Sequence, residues 1–524
     1  MHIRPYHPAV DSSASDVPAD GGSERSRPAG LLRNATFGLL AQVTTSVFTA
    51  VLTLYLVRAL EPSGFGLFAL ALTIGGICLL LADAGMSNSA ARFIAERRDN
   101  PGAIAQLFSD ALRLKLVLGG LVALALVALA EPIAAAYGHP ELTWPLRGIA
   151  LAVLANALLL LCLQTFIATG RLRSNLRVIF LESAMESTAS ITLVALGGGA
   201  TGAAFGRAIG YGFGALIAAL AVRSLYGNLA FRLRGSMRRA RELLTYAGPL
   251  FVTNSAYTLY SSVDVLLIGA LLNAAAVGLF SAPMRLMVVL GLVGIAVSNA
   301  VAPRLALSDS GHRDVASFRT SLRLLMIFQA ALVAPVVVWA EPVIVLLLGA
   351  DYRESADVLR LLAPFMFLAG ISPLISNAVD YLGRAARRIP IVFSALVINA
   401  VIDVTLIPII GVEAGAIGTS VAYMVYVPGH MWLCRQVIDV PLRPLGATLA
   451  RVLAAAAAMA AVLLASGTRE LSAGEWIFGV LGGTAAFCVV LVLSREVSLA
   501  ELRAFVALVR LRARGRTAGA ASGD

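Results

Sequence analysis

Charge is scarce in this chain. Asp, Glu, Lys and Arg make up 14% of its 524 residues, against 59% hydrophobic residues and a mean hydropathy of +0.84. A water-soluble domain carries roughly a quarter charged residues, so the composition is that of a membrane protein. Cysteine is nearly missing as well: Cys78, Cys162, Cys434 and Cys488 lie in apolar stretches without paired spacing, which excludes a disulfide framework and predicts buried free thiols. His2, His7, His139, His312 and His430 are scattered with no ligand spacing, so neither a metal site nor a cofactor is expected. The alternating segments of about 10 residues that build a membrane barrel are also absent. What remains is long, unbroken apolar runs, each able to cross a bilayer in about 20 residues.

Those runs predict an all-α polytopic membrane protein of fourteen transmembrane helices, starting with spans near 31–57 and 64–87 and ending with 447–466 and 474–494. The net charge of +11 does not call for nucleic acid, because the basic residues follow the positive-inside rule. Every second loop is basic, as at Arg92, Arg97 and Arg98, at Arg171, Arg173 and Arg177, and at Arg384, Arg387 and Arg388. The intervening loops collect Glu131, Glu141, Glu341, Asp351, Glu354 and Asp357 instead. Both termini are therefore expected in the cytoplasm of a multi-pass plasma-membrane protein. Residues 1–30 read as a disordered tail without a signal-peptide core, and 496–524 as a basic amphipathic tail suited to the anionic inner leaflet.

Shifting the chain by 212 residues lays Leu31–Ala71 on Leu243–Pro283 without a gap, with Gly66-Leu67-Phe68 on Gly278-Leu279-Phe280. After small slips Glu131-Pro132-Ile133 meets Glu341-Pro342-Val343, Gly170 meets Gly383 and Gly206 meets Gly418. The repeat predicts two homologous six-helix lobes, 31–223 and 243–435, joined by a cytoplasmic linker at 224–242 and followed by helices 13 and 14 at 446–495. Each lobe holds an even number of spans, so the two enter the membrane alike and enclose a central cavity.

Intramembrane polar groups are costly and mark candidate sites. Asn254, Tyr257, Ser261 and Asp264 form a polar stripe on the seventh span, and the 212-residue shift places Gln42, Thr45 and Thr49 at its first three positions on the first. Arg285, at a similar depth, is expected within reach of Asp264, either as a structural pair or as a cavity cation for an anionic substrate. Arg207 is expected to face Glu182 and Glu186, one turn apart on the preceding span. Asp264, Glu182, Glu186 and Asp403 are the candidates for ion coupling. Asp83 reads as a helix-end group, and Gly202, Gly206, Gly210 and Gly214 as a helix-packing face.

The two six-span lobes, the extra C-terminal pair, the Gly-Leu-Phe pattern that ends both Glu61–Phe68 and Asn273–Phe280, and Asp83-Ala84-Gly85 together resemble the polysaccharide-transport branch of the multidrug/oligosaccharidyl-lipid/polysaccharide exporter superfamily. The resemblance covers residues 31–495. It implies a flippase, not an enzyme, that moves undecaprenyl-diphosphate-linked oligosaccharide units across the plasma membrane by alternating access, with Arg207 and Arg285 meeting the diphosphate. Polysaccharide polymerase and export machinery would be its partners. A lipid II flippase shares the fourteen-span plan, but its arginine cluster in the first helices is missing here. A multidrug antiporter would have twelve spans and acids in its first lobe. A membrane polymerase or ligase would need a long outer loop, and none is present.

Overall fold

The computed structural model describes residues 26–231, 237–306, 313–469 and 471–498. The expectations for the N-terminal tail up to residue 25, for linker residues 232–236 and for the basic tail from 499 onward lie outside the described residues, as do His2, His7 and His312. All regular structure described is helical. The helices are α1 (Ser26–Asp83), α2 (Met86–Ala95), α3 (Pro101–Ala136), α4 (Thr143–Ala168), α5 (Leu172–Leu193), α6 (Gly199–Tyr226), α7 (Met237–Leu271) and α8 (Ala274–Val301). They continue with α9 (Val315–Val338), α10 (Ala340–Leu347), α11 (Ser355–Leu361), α12 (Ala363–Tyr381), α13 (Ile389–Ile410), α14 (Glu413–Arg435), α15 (Leu442–Ala465) and α16 (Ala473–Leu493).

Among the described residues, eight helical segments are long and apolar enough to cross a membrane, or ten if each of two bent pairs forms one span. This is a multi-pass membrane protein. Two of the eight, Thr36–Asp83 and Leu172–Tyr226, run for 48 and 55 residues. At 1.5 Å per residue each would exceed twice the roughly 30 Å hydrocarbon core if straight. Both are broken. At Glu61 the backbone leaves helical geometry (φ 55°, ψ 176°) just before Pro62, and Gly197 (φ 87°) breaks the second segment between α5 and α6. These breaks fall where the sequence ends one span and begins the next.

Burial follows helix pairing. Leu70, Ala71, Leu146, Ala150, Val277 and Phe280 join α1 and α4 to α8 in the largest core. Trp339, Val452, Met459, Leu463 and Phe487 hold α15 and α16 beside α9, and the Trp339 indole donates to the Gly467 carbonyl at 3.0 Å. The four glycines of α6 face Leu193, Ser190, Glu186 and Glu182 of α5 in order, and Cβ atoms there would crowd or overlap the α5 chain. This stripe is a tight packing face. It also fixes where the two glutamates stand.

Candidate functional site

That close approach sets Glu186 against α6, where Arg207 Nη1 meets its carboxylate at 2.9 Å and Nη2 donates to the Tyr211 hydroxyl at 2.6 Å. Glu182 is not shared in the same way: it is buried and accepts from Ser183 Oγ at 3.0 Å. Arg207, Glu186, Ser183 and Ser187 line a narrow cavity together with Arg285 of α8 and Thr49 of α1. Arg285 is exposed there, so two guanidiniums and one carboxylate converge on one space enclosed by aromatic and aliphatic side chains such as Phe48, Phe65 and Leu52. Such a space favours an anion with several oxygens, which guanidinium forks bind by charge-assisted hydrogen bonds.

The expected approach of Asp264 to Arg285 is not what the structure shows. Asp264 is buried and turns to α13 and α14: Asn399 Nδ2 donates to its Oδ1 at 2.7 Å and Thr419 Oγ1 to its Oδ2 at 3.0 Å. The ten residues separating Asn254 from Asp264 rotate the acid by about 80° around a 3.6-residue helix, out of the stripe and into the neighbouring helices. Ser261 is exposed and bonds only its own helix, to Thr258 O at 3.0 Å; the side chains of Asn254 and Tyr257 lie outside those described. On α1, Gln42 and Thr45 are exposed, Thr45 donating to Ala41 O at 3.1 Å, while Thr49 reaches the cationic cavity.

Asp403 joins Asp264 in this second cluster. Both carboxyl oxygens of Asp403 and the Asn399 amide oxygen are buried without a hydrogen-bond donor among the described residues, and both residues crowd Gly418. Two buried carboxylates, an amide oxygen and a hydroxyl, with no basic side chain bonded to them among the described residues, make an electron-rich pocket. Mutual repulsion of the acids in a low dielectric calls for a proton or a small cation between them.

A third cluster escaped the sequence reading. Lys115 of α3 is fully buried and gives its three protons to Asp83 Oδ1 at 2.5 Å, Ser87 Oγ at 2.6 Å and the Ala157 carbonyl at 2.6 Å. It is the only lysine among forty arginines, and that scarcity was the available signal. Asp83 and Ser87 then border a cavity of about 570 Å³ that reaches across to Thr258, Asp380, Arg388 and Tyr426. This cavity lies at the end of the molecule that carries the arginine-rich loops.

The opposite end is shut. A Cβ on Gly66 would overlap the Ala274 carbonyl, and one on Gly278 would overlap the Pro62 carbonyl. The 212-residue shift converts one contact into the other, since it carries 62 to 274 and 66 to 278. Around this clasp Ala274 N donates to His139 Nε2 at 3.2 Å, Tyr352 Oη to Val57 O at 3.1 Å and Arg58 Nε to Leu347 O at 3.1 Å.

Solved structures share this arrangement of helices. A lipid II flippase MurJ in an inward closed conformation superposes with a TM-score of 0.72 at 13% identity, over 88% of this chain and 99% of that one. An inward-facing multidrug resistance MATE family transporter gives 0.59 at 16% identity, over 76% of this chain and 98% of the other. The fold is therefore the helical bundle that both share. Residues 31–308 match the family model "Polysaccharide biosynthesis protein" and residues 177–484 match "Lipid II flippase MurJ". The chain belongs to the polysaccharide branch of the multidrug/oligosaccharidyl-lipid/polysaccharide exporter superfamily. Curated relatives include a probable low-salt glycan biosynthesis flippase, Agl15, of Haloferax volcanii, 24% identical over 71% of this chain and 76% of its own length. A putative O-antigen transporter of Shigella flexneri is 20% identical over 68% of this chain and 86% of its length. The protein is a transporter rather than an enzyme.

Proposed function

We propose that the chain flips undecaprenyl-diphosphate-linked oligosaccharide units across the bacterial plasma membrane for surface or exopolysaccharide synthesis, and that polysaccharide polymerase and export machinery take up its product. The observation that carries this reading is the pairing of Arg207 and Arg285 in one cavity of a fold whose curated relatives are named as glycan flippases and O-antigen transporters. The arginines would bind the diphosphate, while the sugars would occupy the wider space toward Asp83 and Arg388. The fourteen-span, two-lobe plan with both termini in the cytoplasm is supported by the breaks at Glu61 and Gly197 and by the arginine-rich loops at one end. Alternating access is supported by the asymmetry between the shut clasp and the open 570 Å³ cavity. A lipid II substrate is the second reading, favoured by the lipid II family match through residue 484.

Deleting the gene is expected to leave undecaprenyl-diphosphate glycan accumulating on the cytoplasmic leaflet, to be read by mass spectrometry of extracted lipids. Accumulated lipid II would replace the first reading by the second. Hydrogen bonds to charged groups contribute about 1.5–3 kcal/mol, so Arg285→Ala is expected to lower export roughly 10- to 150-fold at unchanged protein level. Normal surface glycan from this variant would refute the diphosphate role.

Ion coupling would use Asp264 and Asp403, with the proton or cation held between them on α7 and α13. A methyl group on Gly418 would fall among the oxygens of Asp403 and Asn399. Gly418→Ala is therefore expected to abolish gradient-driven export while the protein still reaches the membrane. Wild-type dependence on the proton and sodium gradients in this variant would remove the cluster from the mechanism. Glu182, buried beside Glu186, is the weaker coupling candidate, because the Arg207 guanidinium already neutralises one acid of that pair.

A further inference from the structure

Where the C-terminal helices α15 and α16 pack beside α9, a second basic site opens at the arginine-rich end. Its cavity, about 560 Å³, is lined by Arg323, Arg451, Arg495, Thr448 and Glu496. A smaller recess beside it shares Arg323 and Thr448 and adds Arg319. Glu496 is buried and organises the site: Arg323 Nε and Arg451 Nη1 each meet its carboxylate at 2.9 Å, and Thr448 Oγ1 donates to it at 2.9 Å. Burial opposes its charge, yet the hydrogen bonds from Arg451, Thr448 and Arg323 hold its carboxyl below the usual range.

Three features point to a ligand. Three guanidiniums, those of Arg323, Arg451 and Arg495, line the larger cavity together with one carboxylate. Arg495 also occupies a position that favours glycine. Glu496 N bonds Leu491 O at 2.9 Å and Arg495 N bonds Val492 O at 3.0 Å, the capping pattern in which the left-handed residue (here φ 56°) is ordinarily Gly. A strained arginine is kept where a glycine would be unstrained, and its side chain lines the cavity. Finally, the same helices present exposed Leu324, Leu453 and Leu493, a surface suited to acyl chains.

We propose that this site binds the phosphate headgroup of an anionic phospholipid from the leaflet at the arginine-rich face. Basic pockets between transmembrane helices at that face suit such headgroups. The occupant is a resident lipid, and the site is separate from the Arg207 and Arg285 cavity.

The full chain, purified in neutral detergent, is titrated with mixed micelles of phosphatidylglycerol or phosphatidylcholine, and bound lipid is counted by native mass spectrometry. Arg495→Gln leaves both Glu496 ion pairs in place and is expected to weaken phosphatidylglycerol binding about fivefold, from about 1 kcal/mol per arginine, with phosphatidylcholine unchanged. Glu496→Gln removes the competing charge and is expected to strengthen it. Equal retention of the two lipids by the wild type, or no effect of Arg495→Gln, would make the cluster a purely structural clamp. Sodium phosphate alone displacing the lipid at millimolar concentration would assign the site to a soluble anion and overturn the lipid.

Discussion

Lys115→Met is expected to cost about 3–5 kcal/mol of stability, the penalty for breaking a buried ion pair by removing one partner. The lysine has no exposure, and its three acceptors belong to the end of α1, to α2 and to α4, so a single ammonium ties four helices together. Methionine fills the volume of the aliphatic stem but leaves Asp83, Ser87 and the Ala157 carbonyl without their donor. Arginine would do little better, because a planar fork does not match three acceptors grouped around a compact ammonium. Thermal unfolding followed by detergent size exclusion reads the loss as a fall in midpoint or in monodisperse yield. The double variant Lys115→Met with Asp83→Leu is expected to recover much of it, since the isolated acid is then gone. An unchanged midpoint in the single variant would mean that the pair contributes nothing to the fold.

This pair also shows where the sequence stopped being informative. Apolar run length is a one-dimensional property that the bilayer itself dictates, so the helical class and the breaks at Glu61 and Gly197 were legible from composition, proline and glycine. The α6 glycines were legible too, because spacing on one helix reveals a face even without its partner. What spacing could not reveal was which helix each charged face meets. Asp264 and Arg285 stand at similar depths, but depth leaves rotation about the helix axis free, and that rotation sends Asp264 to Asn399 and Thr419. Asp83 had a readable position at a helix end and an unreadable partner 32 residues on. Arg207 and Glu186 were easier because α5 and α6 are sequential neighbours, locked in register by the glycines.

The repeat itself leads to the other large effect. Gly66→Val and Gly278→Val are expected to produce the same defect, because each places a side chain in the carbonyl that the opposite half of the clasp presents. Both colliding partners are backbone, so no rotamer change relieves the overlap and the helices must separate. Overpacking of this kind costs about 1–3 kcal/mol where a core can adjust and more where it cannot, so the shut end should lose at least roughly 100-fold in population relative to its open alternative. A cysteine at Val57, fully buried beside the clasp, would then label with a membrane-impermeant thiol reagent in both variants and not in the parent, while export of glycan stops. Gly120→Val separates a clasp effect from ordinary helix propensity, since a Cβ there meets nothing within 4 Å. Normal export with unlabelled Val57→Cys in both clasp variants would show that the contact is not a gate. A defect in only one would show that the repeat's symmetry does not extend to the motion. The 212-residue shift exchanges the two contacts, so each glycine closes on a carbonyl at the position that answers its counterpart's, and opening one half of the clasp removes the support of the other.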